Sequence, residues 1–150
     1  MHDPSSIPGA RRTLASLRHF LLITLIVGVS GMATELLLIG HVEGAFQIVP
    51  LVLLGAGLLT LVWHALRPGN GSLRALRVLM MLFIVSGILG SLLHYQGNEA
   101  FELEMYPTMG GMELVVATLT GATPVLAPGS MSLLGLVGLA VTYAGIEKSG

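Results

Sequence analysis

The strongest constraint on the fold of this 150-residue chain is its long apolar runs. Residues 20–40 contain a single charged side chain, that of Glu35, and residues 46–66 contain no Asp, Glu, Lys or Arg. At 1.5 Å per residue, a helix of about 20 residues crosses a hydrocarbon core of about 30 Å. Both runs therefore predict membrane-spanning helices. Because only the segment HVEGA separates them, we expect an antiparallel helical hairpin.

Two further runs continue this pattern. Residues 73–93 are apolar apart from two arginines near the start, and residues 130–146 carry no charge over 17 positions. The segment 94–129 between them is polar at first and then apolar over 112–122, which as a helix would cover only about 16 Å. We therefore predict an all-α integral membrane protein, a four-helix transmembrane bundle with a short interfacial or re-entrant helix before the last span. A fifth crossing at 112–122 is the alternative.

The composition agrees with the membrane class. Only 10% of the residues are charged, against about 25% in soluble domains, and the mean hydropathy is +0.85. The absence of cysteine excludes disulfides, thiolate metal sites and a cysteine nucleophile. The first apolar run is too long for the core of a signal peptide, so we expect a retained span. The predicted organisation is an N-terminal cytoplasmic tail at 1–15 and one four-span domain at 16–148.

The basic residues predict the orientation. With four spans, every Arg and Lys falls on one side, namely Arg11, Arg12, Arg18, Arg67, Arg74, Arg77 and Lys148. Because positively charged loops face the cytoplasm, both termini are predicted to be cytoplasmic in a bacterial-type inner membrane. The opposite, outer side carries histidines and glutamates with no Lys or Arg.

Glu35 is the most informative single residue, because it lies one to two helical turns inside the outer end of the first span. A carboxylate at that depth costs about 2 kcal/mol or more, and such groups usually face a bundle interior or a water-filled path. Two interpretations stay open. Glu35 is a proton or cation ligand, or it makes a structural hydrogen bond to Thr34, to a facing hydroxyl or to a backbone carbonyl.

The histidines and glutamates of the outer side have the ligand types of a metal site. Imidazole and carboxylate together bind zinc, copper or iron, so a divalent metal ion is the predicted cofactor. If the third helix continues past residue 93, then His94, Asn98 and Glu102 share one helical face. The Glu-x-x-His pattern of di-iron bundles is absent, and the alternative is an acidic, solvated outer loop. The predicted ligands are His41, Glu43, His94, Glu99 and Glu102.

The segment GATPVLAPGSM at 121–131 interrupts the helical pattern with two prolines and two glycines. Broken helices of this kind form ion sites in transporters, provided that protein or water covers the freed carbonyls. The alternative is a tight outer turn before the last span. Small residues four apart in the third run, such as Gly87 and Ser91, also suit close packing of helices.

The sequence has no Walker, Rossmann, G-x-S-x-G or H-E-x-x-H motif. Its basic residues belong to membrane topology, so nucleic acid is not an expected partner. We expect a small polytopic membrane protein rather than an enzyme, a transport-related or accessory subunit in which Glu35 and the outer His/Glu set hold a proton or cation. A bundle this small predicts a homo-oligomer or a larger membrane complex. The alternatives are a metal-dependent membrane enzyme and a structural or assembly helper that recruits a periplasmic partner.

Overall fold

The computed structural model describes residues 8–42 and 44–143. These residues form helices and connections, and no strand occurs among them. The prediction of an all-helical chain is therefore confirmed for the described part. Its helices are α1 (Pro8–Leu38), α2 (Ala45–Leu66), α3 (Asn70–Met105), α4 (Gly111–Leu119) and α5 (Gly129–Tyr143).

Three of these helices, α1, α2 and α3, are long and apolar enough to cross a membrane. The mean hydropathy of their most apolar windows is 2.1 to 2.2. α5 is also apolar, but its 15 described residues cover only about 22 Å. The predicted run at 46–66 coincides with α2, and the run at 20–40 lies in α1 and the turn after it. α1 begins at Pro8, so the predicted tail at 1–15 is partly helical.

α1 ends where Gly40 adopts a positive φ of 66°, a conformation that glycine reaches without steric cost. The N–H of Gly40 donates to the carbonyl of Leu37, and the N–H of His41 donates to the carbonyl of Leu36. These two bonds form a Schellman motif, which pairs carbonyls that the helix end would otherwise leave free. The chain then reverses within a few residues, and α2 returns antiparallel to α1.

Helices α1, α2, α3 and α5 pack side by side. The main contacts of α1 and of α3 are both with α2 and α5, whereas α4 packs against α3. The central cluster of buried apolar side chains draws on all four of the packed helices. Its members are Leu25, Val29, Leu54, Leu61, Leu76, Met80, Phe83 and Met131.

Glycines allow α3 and α5 to approach each other closely. A Cβ atom at Gly135 of α5 would lie 2.6 Å from the carbonyl oxygen of Met80 in α3. A Cβ atom at Gly87 of α3 would lie 2.7 Å from the carbonyl oxygen of Pro128, just before α5. The small residues of the third apolar run therefore lie where close helix packing needs them.

α3 has 36 residues and reaches well past the other long helices. Ser72 near its start lies level with Arg18 of α1, because both side chains hydrogen-bond to His64 of α2. α1 and α3 run in the same direction, since each is antiparallel to α2. From this level α1 runs about 30 Å to Leu38, whereas α3 runs about 50 Å to Met105. α3 therefore continues about 20 Å past the end of α1.

The segment 94–105 is thus a continuation of the third helix, one of the possibilities that the sequence left open. Gly97 lies inside it, at a cost of about 1 kcal/mol relative to alanine. Hydrogen bonds of the neighbouring Asn98 offset that cost, as described below. The helix ends where the N–H of Tyr106 donates to the carbonyl of Glu102, directly before Pro107.

Candidate functional site at the acidic end

The two ends of the packed helices differ in charge. We define the acidic end as residues 35–44 and 94–128, which include no Lys or Arg. The basic end comprises residues 12–18, 63–77 and 142–143, which include no Asp or Glu. All the predicted site residues belong to the acidic end.

Asn98 is a buried polar residue of the acidic end, with 4% of its surface exposed, and its side chain is fully hydrogen-bonded. Its amide nitrogen donates to the carbonyls of Thr118 at 2.9 Å and Thr123 at 2.8 Å. Its Oδ1 accepts from the N–H of Thr123 at 3.1 Å and from the hydroxyl of the same residue. A carboxamide has two N–H donors and two acceptor lone pairs, and Asn98 uses all four. It therefore ties α3 to the end of α4 and to the connection that follows.

His94, one turn earlier on the same face of α3, also bonds to this connection. Its Nδ1 lies 3.1 Å from the carbonyl oxygen of Pro124. A carbonyl only accepts, so Nδ1 carries the proton, and Nε2 of the neutral ring keeps its lone pair. This orientation is the one that a metal-binding histidine adopts when a second group fixes its ring.

The second half of the connection at 120–128 pairs most of its carbonyls with N–H groups that follow in the chain. The N–H groups of Ala127, Gly129, Ser130 and Met131 donate to the carbonyls three residues before them at 3.0 to 3.2 Å. The hydroxyl of Ser130 also donates to the carbonyl of Ala127. Ion sites at broken helices need free carbonyls that converge on one point. The tight-turn interpretation of 121–131 therefore accounts for these bonds better than the ion-site interpretation.

The predicted metal ligands lie on two separate elements. Glu99 and Glu102 are half-buried on α3, and His41 is half-buried in the turn after α1. Glu43 lies outside the described residues. Within the described ranges, no group of three or more His, Asp or Glu side chains could hold a metal ion. The five-residue metal site with Glu43 in it therefore stays a prediction.

Glu35 is exposed on the surface of α1, and no hydrogen bond or ion pair with another described residue reaches its carboxyl group. The hydroxyl of the neighbouring Thr34 instead donates to the carbonyl of Ser30 at 2.9 Å. The internal hydrogen bond from Thr34 to Glu35 is thus not formed. The interpretation of Glu35 as a proton or cation ligand stays a prediction.

An apolar groove of about 300 Å³ lies between α3 and the start of α5. This volume is at the lower end of the range of ligand pockets, about 300 to 1,000 Å³. None of the residues that line it carries a charge. The lining residues are Gly87, Ile88, Ser91, Leu92, Tyr95, Val125, Gly129 and Ser132.

The basic end holds a hydrogen-bonded network that sequence reasoning missed. Nη2 of Arg18 lies 3.2 Å from Nε2 of His64, and Nδ1 of His64 lies 2.9 Å from the hydroxyl of Ser72. A guanidinium only donates, so Nε2 accepts and Nδ1–H donates to Ser72. The Ser72 hydroxyl in turn donates to a carbonyl of the turn at 67–69. The network joins α1, α2 and α3.

His64 is buried, with 7% of its surface exposed, whereas the neighbouring Trp63 is 47% exposed. One feature of the sequence could have indicated this network, namely the positions of His64 and Ser72 on either side of the turn segment RPGNG at 67–71. The residues that flank a short helix–helix turn face each other, and here they are a histidine and a serine eight positions apart.

α5 is held at the basic end by Arg77 of α3. Nε of Arg77 donates to the hydroxyl of Thr142, and its Nη2 donates to the carbonyl of Thr142, both at 3.3 Å. The guanidinium also lies 5.6 Å from the centre of the Tyr143 ring, within the range of a cation–π interaction. Arginines at this end therefore take part in helix packing.

Comparison with models of known protein families, with curated proteins and with solved structures finds no match for this chain.

Proposed function

We propose that this chain is a multi-pass protein of a bacterial-type inner membrane, in which α1, α2, α3 and α5 form a four-helix transmembrane bundle. Four helices that each have their main contacts with two others support a closed bundle. Large apolar side chains on the exterior, such as Val52, Leu59 and Leu133, support contact with lipid. The segregation of arginines at one end supports an orientation with both termini in the cytoplasm.

We further propose that the protein is an accessory subunit whose acidic end docks a partner on the outer side of the membrane. One observation carries this proposal. α3 extends about 20 Å past α1, and α4 packs along the extension. Asn98 fixes this helix pair, which therefore presents a preformed surface. Rigid surfaces that need no ordering on binding lose less entropy when a partner docks.

The chemistry of this helix pair indicates the kind of partner. Phe101, Met105, Met112 and Val116 are each more than half exposed. Glu104 and Glu113 are exposed beside them, with no Lys or Arg between positions 78 and 147 to pair with them. Apolar anchors within a charged rim are typical of protein interfaces. We expect a partner that combines an apolar patch with Lys or Arg side chains.

A cation-binding subunit is the second candidate, because the His94 ring is held with Nε2 available and half-buried Glu99 and Glu102 follow on the same helix. Metal analysis of the purified protein tests it. Stoichiometric zinc, iron or copper that is lost in His94→Ala would favour this function or a metal-dependent membrane enzyme. Substoichiometric metal in the wild-type protein would remove both.

The topology is tested with single cysteines, since the chain has none of its own. We expect a membrane-impermeant thiol reagent to label Glu104→Cys in intact cells. The same reagent should label Asn70→Cys only after the cells are opened. Labelling of both variants, or of neither, in intact cells would contradict the proposed orientation.

The docking proposal is tested with charge reversal at exposed positions. In native gels of membranes solubilised in mild detergent, we expect the wild-type chain to migrate in a larger complex. The double variant Glu104→Lys/Glu113→Lys should migrate without the partner, whereas Asn70→Lys, which adds positive charge at the basic end, should retain the complex. A complex that is unchanged by the double variant would refute docking at the acidic end.

A further inference from the structure

One face of α1 is left uncovered along its whole membrane-spanning part. Successive residues of a helix are about 100° apart, so Phe20, Val27, Gly31 and Leu38 fall within about 40° of arc. All four are exposed, and the opposite face buries Leu25 and Val29 in the core. Only 11% of the most apolar window of α1 is buried, against 22% in α2 and in α3. We call this uncovered face the α1 stripe.

The α1 stripe carries polar groups at its edges. Thr24, Thr34 and Glu35 flank it, and all three are exposed. Glu35 is followed by exposed apolar side chains on the outer side, those of Leu38 and Ile39, with 78% and 62% of their surfaces exposed. The carboxyl group of Glu35 thus lies about one helical turn before the end of α1, between exposed apolar side chains. A carboxyl group among apolar side chains that face lipid is costly unless protein groups or water cover it.

We propose that the α1 stripe binds the α1 stripe of a second copy of this chain, forming a parallel two-fold pair within the membrane. This inference rests on the proposed membrane insertion. Copies of one protein insert in the same direction, so a two-fold axis along the membrane normal brings each residue of the stripe next to its own copy. Gly31 then meets Gly31 of the second copy at the centre of the helix pair. In the single chain, a Cβ atom at Gly31 would have no other atom within 4 Å. A small residue at this point lets the two backbones approach closely.

The same symmetry supplies a partner for Glu35. Glu35 lies about 60° from the centre of the α1 stripe on one side, and Thr34 lies about 40° from it on the other side. Two-fold symmetry therefore places each Glu35 next to Thr34 of the second copy, where its carboxyl group and the Thr34 hydroxyl can hydrogen-bond. The acidic end includes no Lys or Arg that could pair with Glu35 instead. A second copy therefore brings together the groups that the α1 stripe lacks in a single chain.

Cysteine crosslinking in native membranes tests this pairing, on a chain without native cysteine. An added copper–phenanthroline oxidant removes the two thiol hydrogens and two electrons, and a disulfide forms where the Cα atoms lie within about 7 Å. We expect covalent dimers with Gly31→Cys and Thr34→Cys. The control positions Leu59 on α2 and Leu133 on α5 are also exposed, so Leu59→Cys and Leu133→Cys should remain monomeric.

The role of Glu35 is tested within the Gly31→Cys variant, which keeps the hydroxyl of Thr34. Glu35→Gln keeps hydrogen-bonding capacity and should crosslink at a similar rate, whereas Glu35→Leu should crosslink about threefold to tenfold more slowly. Equal crosslinking at test and control positions, or crosslinks of Gly31→Cys only to a different protein, would overturn the proposal. If Gly31→Cys and Thr34→Cys stay monomeric while Glu104→Cys is labelled from outside, the dimer is refuted and the membrane topology stands.

Discussion

The basic and acidic ends of this protein hold their helices together in different ways. At the basic end, Arg18, His64 and Ser72 join three helices through side chain–side chain bonds. At the acidic end, Asn98 and His94 of one helix bond mainly to the backbone of the connection between α4 and α5. The difference follows from the connections. The short turn at 67–69 has few backbone N–H and C=O groups that need hydrogen-bond partners. The longer, proline-containing connection at 120–128 has more of them.

The ends also differ in how they use their charges. Arg18 and Arg77 take part in helix packing at the basic end. At the acidic end, no described hydrogen bond or ion pair involves the carboxyl group of a glutamate, among them Glu99, Glu102 and Glu104. Charged side chains that contribute nothing to the fold are available to a partner. This contrast is why we assign docking to the acidic end.

The largest loss of stability is expected from Asn98→Leu, which removes the hydrogen bonds that connect α3 to α4 and to the following connection. The leucine has a similar size, but it leaves the carbonyls of Thr118 and Thr123 and one N–H without partners. We expect a loss of about 3 kcal/mol in the free energy of unfolding, because buried polar groups without partners cost about 1 to 3 kcal/mol each. Unfolding in mixed detergent micelles, followed by circular dichroism, measures the loss.

The matched control for Asn98→Leu is Gln96→Leu, at an exposed position on the same helix. It should change the free energy of unfolding by less than about 0.5 kcal/mol. Equal effects of the two variants would mean that the hydrogen bonds of Asn98 do not hold the acidic end together.

The second prediction concerns the packing of α3 against α5, which connects the two ends. Gly135→Ala places a Cβ atom against the backbone of Met80, and overpacking of this kind costs about 2 kcal/mol. Gly55→Ala is the control, because that glycine is exposed with nothing within 4 Å of the added atom. The control should be neutral or slightly stabilising, since alanine favours a helix by about 1 kcal/mol over glycine. Tolerance of Gly135→Ala would indicate that α5 moves freely against α3.

The positions of the long helices could be predicted from the sequence, because apolar runs with arginines at one end follow directly from the physics of a bilayer. The extension of α3 was harder to predict. Gly97 and three glutamates between residues 99 and 104 are also typical of a solvated loop. The helix is stabilised by the contacts of Asn98 with Thr118 and Thr123, which lie 20 and 25 residues further along the chain. The pattern of residues within 94–105 does not reveal contacts at that separation.

The burial of the two histidines could not be predicted from the sequence either. The sequence favours His94 as a functional residue because glutamates follow it, whereas His64 lies in an apolar run next to Trp63. In the structure His64 is buried and bonded on both ring nitrogens, whereas His94 is half-buried with one bond. Burial and partners of a single polar residue depend on which helices pack together, and one sequence does not specify this.

A smaller effect is expected at the basic end from Ser72→Ala. This change removes the acceptor for Nδ1–H of His64 and for the N–H of Gly69. We expect a loss of about 1.5 kcal/mol, less than for Asn98→Leu because Gly69 is exposed and water can accept from its N–H, which leaves Nδ1–H of His64 as the buried donor without a partner. The measurement is the same unfolding experiment, with Ser16→Ala at an exposed position of α1 as the control. A loss as large as that of Asn98→Leu would mean that both ends depend equally on buried polar groups.

The smallest effect is expected from His94→Ala. The imidazole makes one hydrogen bond at a half-buried site, and solvent reaches the carbonyl of Pro124 when the ring is gone. We therefore expect a loss of about 0.5 kcal/mol without metal. Added Zn²⁺ separates the two functions of the acidic end, because a ligand that binds only the folded state raises its stability. If the acidic end serves docking alone, Zn²⁺ leaves the melting temperature of the wild-type protein unchanged. A rise in the wild-type protein that disappears in His94→Ala would instead make His94 a metal ligand and favour the cation-binding subunit.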